Sequence, residues 1–168
     1  MNIARSLAAG AAAGAAGTTA LNAITYLDMI RGARPASSTP ETTVEKLAEV
    51  TGVDIPGNDE ERTNRVSGLG PLTGLVMGVG VGALLGAGRA AGLRPGLATG
   101  SLAAAAGALI GSNGPMTALG VTDPRTWSKT DWISDIIPHL AYGLVTAATL
   151  QALDPGAEGH RTRCRMKR

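Results

Sequence analysis

The sequence predicts an all-α integral membrane protein: a four-helix bundle with glycine-zipper packing and a short extramembrane helical loop. Three observations carry that prediction. Gly70, Gly74, Gly78, Gly82 and Gly86 recur at every fourth position, four stretches of the chain are apolar and almost free of charge, and the polar residues gather into one loop, one turn and a tail.

A four-residue glycine spacing draws a slanting ridge without side chains on a helix, so another backbone can come close. In hydrocarbon, where apolar side chains gain nothing by leaving lipid, such close packing supplies the attraction between helices. The composition agrees: the chain has 24 Gly, two Trp, two Tyr and no Phe, whereas aqueous cores are built from Leu, Ile, Val and Phe. Its 168 residues suffice for one domain, here residues 1–153, followed by a basic tail over 154–168.

The first span is expected at about 6–27, with Gly10 and Gly14 four apart and Gly17 continuing the small surface. Arg5 and Ala11-Ala12-Ala13 imitate a signal peptide and its cleavage site, but the apolar stretch continues past them and further spans follow. The loop 31–67 carries helix signals. Thr39 and Pro40 open one helix and Gly52 closes it, and a second short helix is expected after Asn58, where Glu61 can meet Arg65. This loop reads as a solvated cap, or as a docking surface for a membrane protein partner.

The glycine ladder occupies the second span, about 69–92, and the third is expected at about 95–111 with Gly96 and Gly100 at helix spacing. Only a short turn separates them, which predicts an antiparallel hairpin. Ser112-Asn113-Gly114-Pro115 is read as the break that ends the third span. Asp123-Pro124 resembles a helix start, and the last span is expected at about 131–153, with Trp127 and Trp132 at interfacial positions.

Arg161, Arg163, Arg165, Lys167 and Arg168 crowd the tail, and with Arg5, Arg89 and Arg94 they favour both termini on the cytoplasmic side of the inner membrane. Such a tail meets anionic lipid more naturally than nucleic acid, so no nucleic-acid partner is expected. Cys164, the only cysteine, can form no intrachain disulfide. The bilayer is the expected partner, with a homo-oligomer through any glycine face left toward lipid.

An even number of spans places the end of span one, both ends of the 111–131 connection and the start of span two at one membrane face. Asn22, Asp28, Asn113, Asp131, Asp135, His139 and Tyr142 lie there and form the candidate proton, cation or partner site. Asp131, Asp135 and His139 follow at steps of four, so they share a helix face over about 12 Å. A carboxylate one turn from an imidazole fixes its tautomer, as a proton relay or the surroundings of a metal require. A structural reading competes, because acids are favoured near helix starts and a His in the outer part of a span can bond a neighbouring helix. No catalytic residue, metal site or cofactor is expected: the chain has no phosphate loop, no Gly-x-Ser-x-Gly elbow, no HExxH and no paired cysteines. The glycines at 78, 80 and 82 follow no strand, which excludes a dinucleotide fingerprint.

Ala118-Leu119-Gly120-Val121-Thr122-Asp123-Pro124, then Trp132 and Ser134-Asp135-Ile136-Ile137-Pro138-His139-Leu140-Ala141-Tyr142, is similar to the closing segment of the YagU-type family of small bacterial inner-membrane proteins. In that family a Gly-Leu-Thr-Pro turn precedes a Ser-acid-x-x-x-His-Leu span. The match covers the last quarter of the chain, and Asp135 and His139 are the positions it carries over. The resemblance implies an inner-membrane protein of unknown molecular activity, loosely linked to acid tolerance. On the residues alone, the expected function is a structural or accessory membrane component; the alternative is a proton- or cation-coupled transporter or channel, with an enzyme ranked last.

Overall fold

The computed structural model describes residues 2–153, and among them every regular element is helical. The elements are α1 (Ile3–Gly32), α2 (Thr39–Thr51), α3 (Asp59–Ala90), α4 (Leu97–Ala118), a 3-10 turn (Pro124–Thr126) and α5 (Lys129–Ala152). The basic tail, with its five charges and Cys164, lies outside the described residues.

Local chemistry sets the ends. The Asn2 side chain accepts from the amide of Ala4 at 3.0 Å, which starts α1 ahead of the expected position. Ala33 then closes it in the left-handed region, at φ 49°. Ser38 is the N-cap residue of α2, Pro40 sits in its first turn, and Gly52 ends it at φ 67°.

The separate short helix expected after Asn58 does not form. Instead α3 runs unbroken for 32 residues, from a capping box of Asn58 and Glu61 through Pro71 to Ala90. Glu61 bonds back to the Asn58 amide at 3.0 Å, while Arg65 donates to the carbonyl of Pro56, so the expected Glu61 and Arg65 meeting is replaced by two backbone contacts. Nor does Ser112-Asn113-Gly114-Pro115 end α4, which continues to Ala118. Proline removes one amide from the ladder, a loss that one further turn of helix tolerates so close to its end. Asp123 caps the 3-10 turn rather than a span, and Ser128 and Asp131 form the capping box that opens α5.

The long helices run antiparallel at each contact. Along α1 from Ser6 to Thr18 the facing residues of α3 descend from Gly86 to Gly78. Gly17 of α1 meets Tyr142 and Thr146 of α5, and Gly100 of α4 meets Ala147. Gly143 lies against Ser101 and Ala105, and Gly111 against Met77 of α3. The order around the assembly is therefore α3, α1, α5, α4. The α3 and α4 hairpin closes that circle through the thicker contacts of Met77 and Val81, while α4 packs chiefly on α5.

Glycine permits the tightest approach. A methyl group built on Gly82 would stand 2.6 Å from Cα and N of Gly14, and one on Gly14 would stand 3.1 Å from Cα of Gly82. Gly10 and Gly86 are as closely opposed, so these positions exclude any side chain. The remaining expected packing glycines part company. Gly70 faces Glu41 of α2, Gly100 makes ordinary contact with Ala147, and nothing lies within 4 Å of an added Cβ at Gly74 or Gly96. Gly96 is the N-cap of α4, outside any helix contact.

The interior between the long helices is chiefly Ala13, Ala104, Ala105, Ala108 and Ala147 with Tyr142, Thr146 and Leu150, Val44 and Val66 are buried besides, and Leu84 and Ile110 are each 72% exposed. Three helices, α1, α3 and α5, are long and apolar enough to cross a membrane. The fourth expected span, α4, carries no charge, but Ser112 and Asn113 dilute its apolar character.

Candidate functional site

At the end of the helices that bears α2, a cavity of about 300 Å³ opens between α4, α5, the start of α2 and the 119–128 connector. Antiparallel packing of α4 on α5 brings Ser112 and Asn113 opposite Asp135 and His139. The Asn113 amide donates to Asp135 Oδ2 at 2.8 Å, which fixes the carboxylate against the neighbouring helix.

Pro138 and His139 are both buried. His139 Nδ1 lies 2.7 Å from the backbone carbonyl of Asp135 and 3.5 Å from its Oδ1. A carbonyl oxygen has no proton, so Nδ1 donates. The acid and imidazole thus meet, but the backbone of Asp135 orients the ring more closely than its carboxylate does. Ser112 Oγ stands 3.4 Å from Nε2.

The other expected site residues separate from this cluster or serve elsewhere. Asp131 lines the cavity, yet its Oδ2 accepts from the Ser128 amide at 2.9 Å and hydroxyl at 2.7 Å, which makes it a capping acid. Asp28 pairs with Arg34, which also donates to Ser134 Oγ at 2.8 Å; this ties the end of α1 to the start of α5 without placing Asp28 in the cavity. Asn22 is exposed on the outer side of α1. Tyr142 sits below the cavity, 1% exposed, with its hydroxyl donating to the Gly78 carbonyl at 2.7 Å.

Sequence reasoning missed Trp127, Met116 and Pro40 as cavity walls, because they come from the connector before α5, the last turn of α4 and the first turn of α2, three places that no single helical period brings together. The Trp127 indole donates to Thr122 Oγ1 at 2.8 Å and meets the Trp132 ring edge-on at 5.0 Å between centroids. Nearby on the exposed connector, the Arg125 side chain holds the Asp123 carboxyl below the usual carboxylate range, helped by the Arg125 amide.

Among the described residues, no group of three or more His, Cys, Asp or Glu is arranged to hold a metal ion. Chemically, the cluster can exchange a proton and make or accept hydrogen bonds. No family model, no curated protein and no solved structure matches the chain.

Proposed function

We propose that this chain is a small multi-pass inner-membrane protein of the YagU type, four spans thick, that serves as a structural or accessory component and performs no catalysis. One observation carries the reading. Glycine and alanine face inward while Leu84, Ile110, Leu102, Leu144 and Val76 face outward, the reverse of what water would select.

Connectivity argues for the fourth crossing. Both α3 and α5 run antiparallel to α1, so they run parallel to each other, and the chain between them must return across the same thickness. At 22 residues α4 is about 33 Å long, enough to cross. Arg89 and Arg94 in the opposite turn support an orientation with α2 and the cavity outside and both termini in the cytoplasm. The buried ring of Tyr142 beneath the cavity favours a closed centre over a pore.

The Asn113, Asp135 and His139 cluster favours a second reading, a proton or cation site at the outer face. Reconstitution into vesicles tests the two. Proton and sodium uptake is measured at pH 5.5 and 7.5, with Asp135→Asn and His139→Ala beside the parent. The structural reading expects no uptake above empty vesicles; uptake by the parent, lost in both variants, overturns it for the second.

A further inference from the structure

We propose that the cavity between α2, α4 and α5 binds a primary ammonium group, with the alkyl part of the ligand against Trp127, Met116 and Pro40. This rests on the second reading above, in which the cavity takes a cation.

Proton bookkeeping leads there. Because Nδ1 of His139 donates to the Asp135 carbonyl, the neutral imidazole presents a lone pair at Nε2. Ser112 Oγ, 3.4 Å away, has a single proton, and that proton serves the Ala108 carbonyl at 2.9 Å. Nε2 therefore has only the long contact with Ser112 for a partner, on a residue only 8% exposed that lines the cavity. Asp135 spends Oδ2 on Asn113 and keeps Oδ1, while Asn113, with one amide N–H engaged, keeps its oxygen. Asp131 spends Oδ2 on its cap and adds a second carboxylate to the wall. Three acceptors on the wall, His139 Nε2, Asp135 Oδ1 and the Asn113 oxygen, are thus open to a donor.

Charge points the same way. Arg34, which reaches this end through Ser134, is already neutralised by Asp28, so Asp131 and Asp135 leave the cavity acidic. An ammonium group brings three N–H donors and one positive charge, matching an imidazole nitrogen, a carboxylate and an amide oxygen. A metal ion asks instead for a compact set of strong ligands, and the described residues offer none. Since the Trp127 N–H is committed to Thr122, its ring faces a ligand only as apolar surface and π-cloud, both suited to an alkylammonium. At about 300 Å³ the space sits at the small end of ligand sites.

The test uses the full chain in detergent with Trp132→Phe, which leaves Trp127 as the reporting tryptophan. Its emission is titrated with n-butylammonium, tetramethylammonium, sodium and butanol at constant ionic strength, and the His139 ring nitrogens are followed by NMR in the parent. The expected result is a saturable change with n-butylammonium, at least tenfold weaker binding of tetramethylammonium, no response to sodium or butanol, and a moving Nε2 resonance. Asp135→Asn is expected to weaken n-butylammonium tenfold or more. Equal binding of tetramethylammonium overturns the proposal, as does an n-butylammonium titration that moves neither signal. Proton or sodium uptake by vesicles without n-butylammonium binding overturns the proposal while the cation-site reading stands.

Discussion

The hydroxyl of Tyr142 donates to the carbonyl of Gly78 at 2.7 Å, joining α5 to α3 across the middle of the assembly. That carbonyl also faces α1, where a methyl group on Gly14 would collide with it. One large ring therefore fills the space that the small residues of three helices leave. Its hydroxyl finds a lone pair that a helical carbonyl still has to give. In a hydrocarbon setting an unpaired phenol is costly, so contact and bond reinforce each other.

Tyr142→Phe keeps the ring and removes the bond. Thermal unfolding in detergent should show a loss of about 1 kcal/mol, with no new ion leak in vesicles. Tyr142→Ala should cost about 3 kcal/mol or more, because it also opens a cavity.

Gly82 and Gly74 belong to one repeat in the sequence but to different surroundings. Gly82→Leu should destabilise the protein by more than about 2 kcal/mol, since even a methyl group meets the α1 backbone there. Gly74→Leu should leave the melting temperature unchanged or raise it slightly, because its Cβ points into open space and helix propensity improves. Paired thermal melts check both.

That contrast marks how far the sequence could be read. All-helical character was legible from the apolar stretches and the caps. The ridge was legible as packing but not as to partner. Each four-residue step turns a helix about 40° beyond a full circle, so from Gly70 to Gly86 the ridge winds about 160° and cannot face one neighbour. Gly70 thus meets α2, Gly74 meets nothing, and Gly78, Gly82 and Gly86 meet α1. Gly143, which admits Ser101 and Ala105, stands alone in its helix and gave no periodic sign. Steps of four correctly grouped Asp135 and His139, but Asp131 was claimed by its cap, and Asp28 by Arg34 from a loop whose path no pattern encodes.

His139 should carry its proton on Nδ1 whenever it is neutral. Nitrogen-15 NMR, with His160 replaced by Gln to leave one signal pair, should show the Nδ1-protonated tautomer. Asn113→Leu should leave that tautomer in place, because the backbone of Asp135 and not its carboxylate takes the hydrogen bond. An Nε2-protonated ring in the parent would contradict the geometry.

The number of crossings decides which loops share a side of the membrane. In a Cys164→Ser background, single cysteines at Ala36, Ala91 and Arg125 occupy the first loop, the turn between α3 and α4, and the connector before α5. An impermeant maleimide added to intact cells should label Ala36→Cys and Arg125→Cys, and should reach Ala91→Cys only after the membrane is opened. Labelling of Ala36→Cys and Ala91→Cys from the same side, or recovery of the chain from the aqueous fraction without detergent, would contradict it.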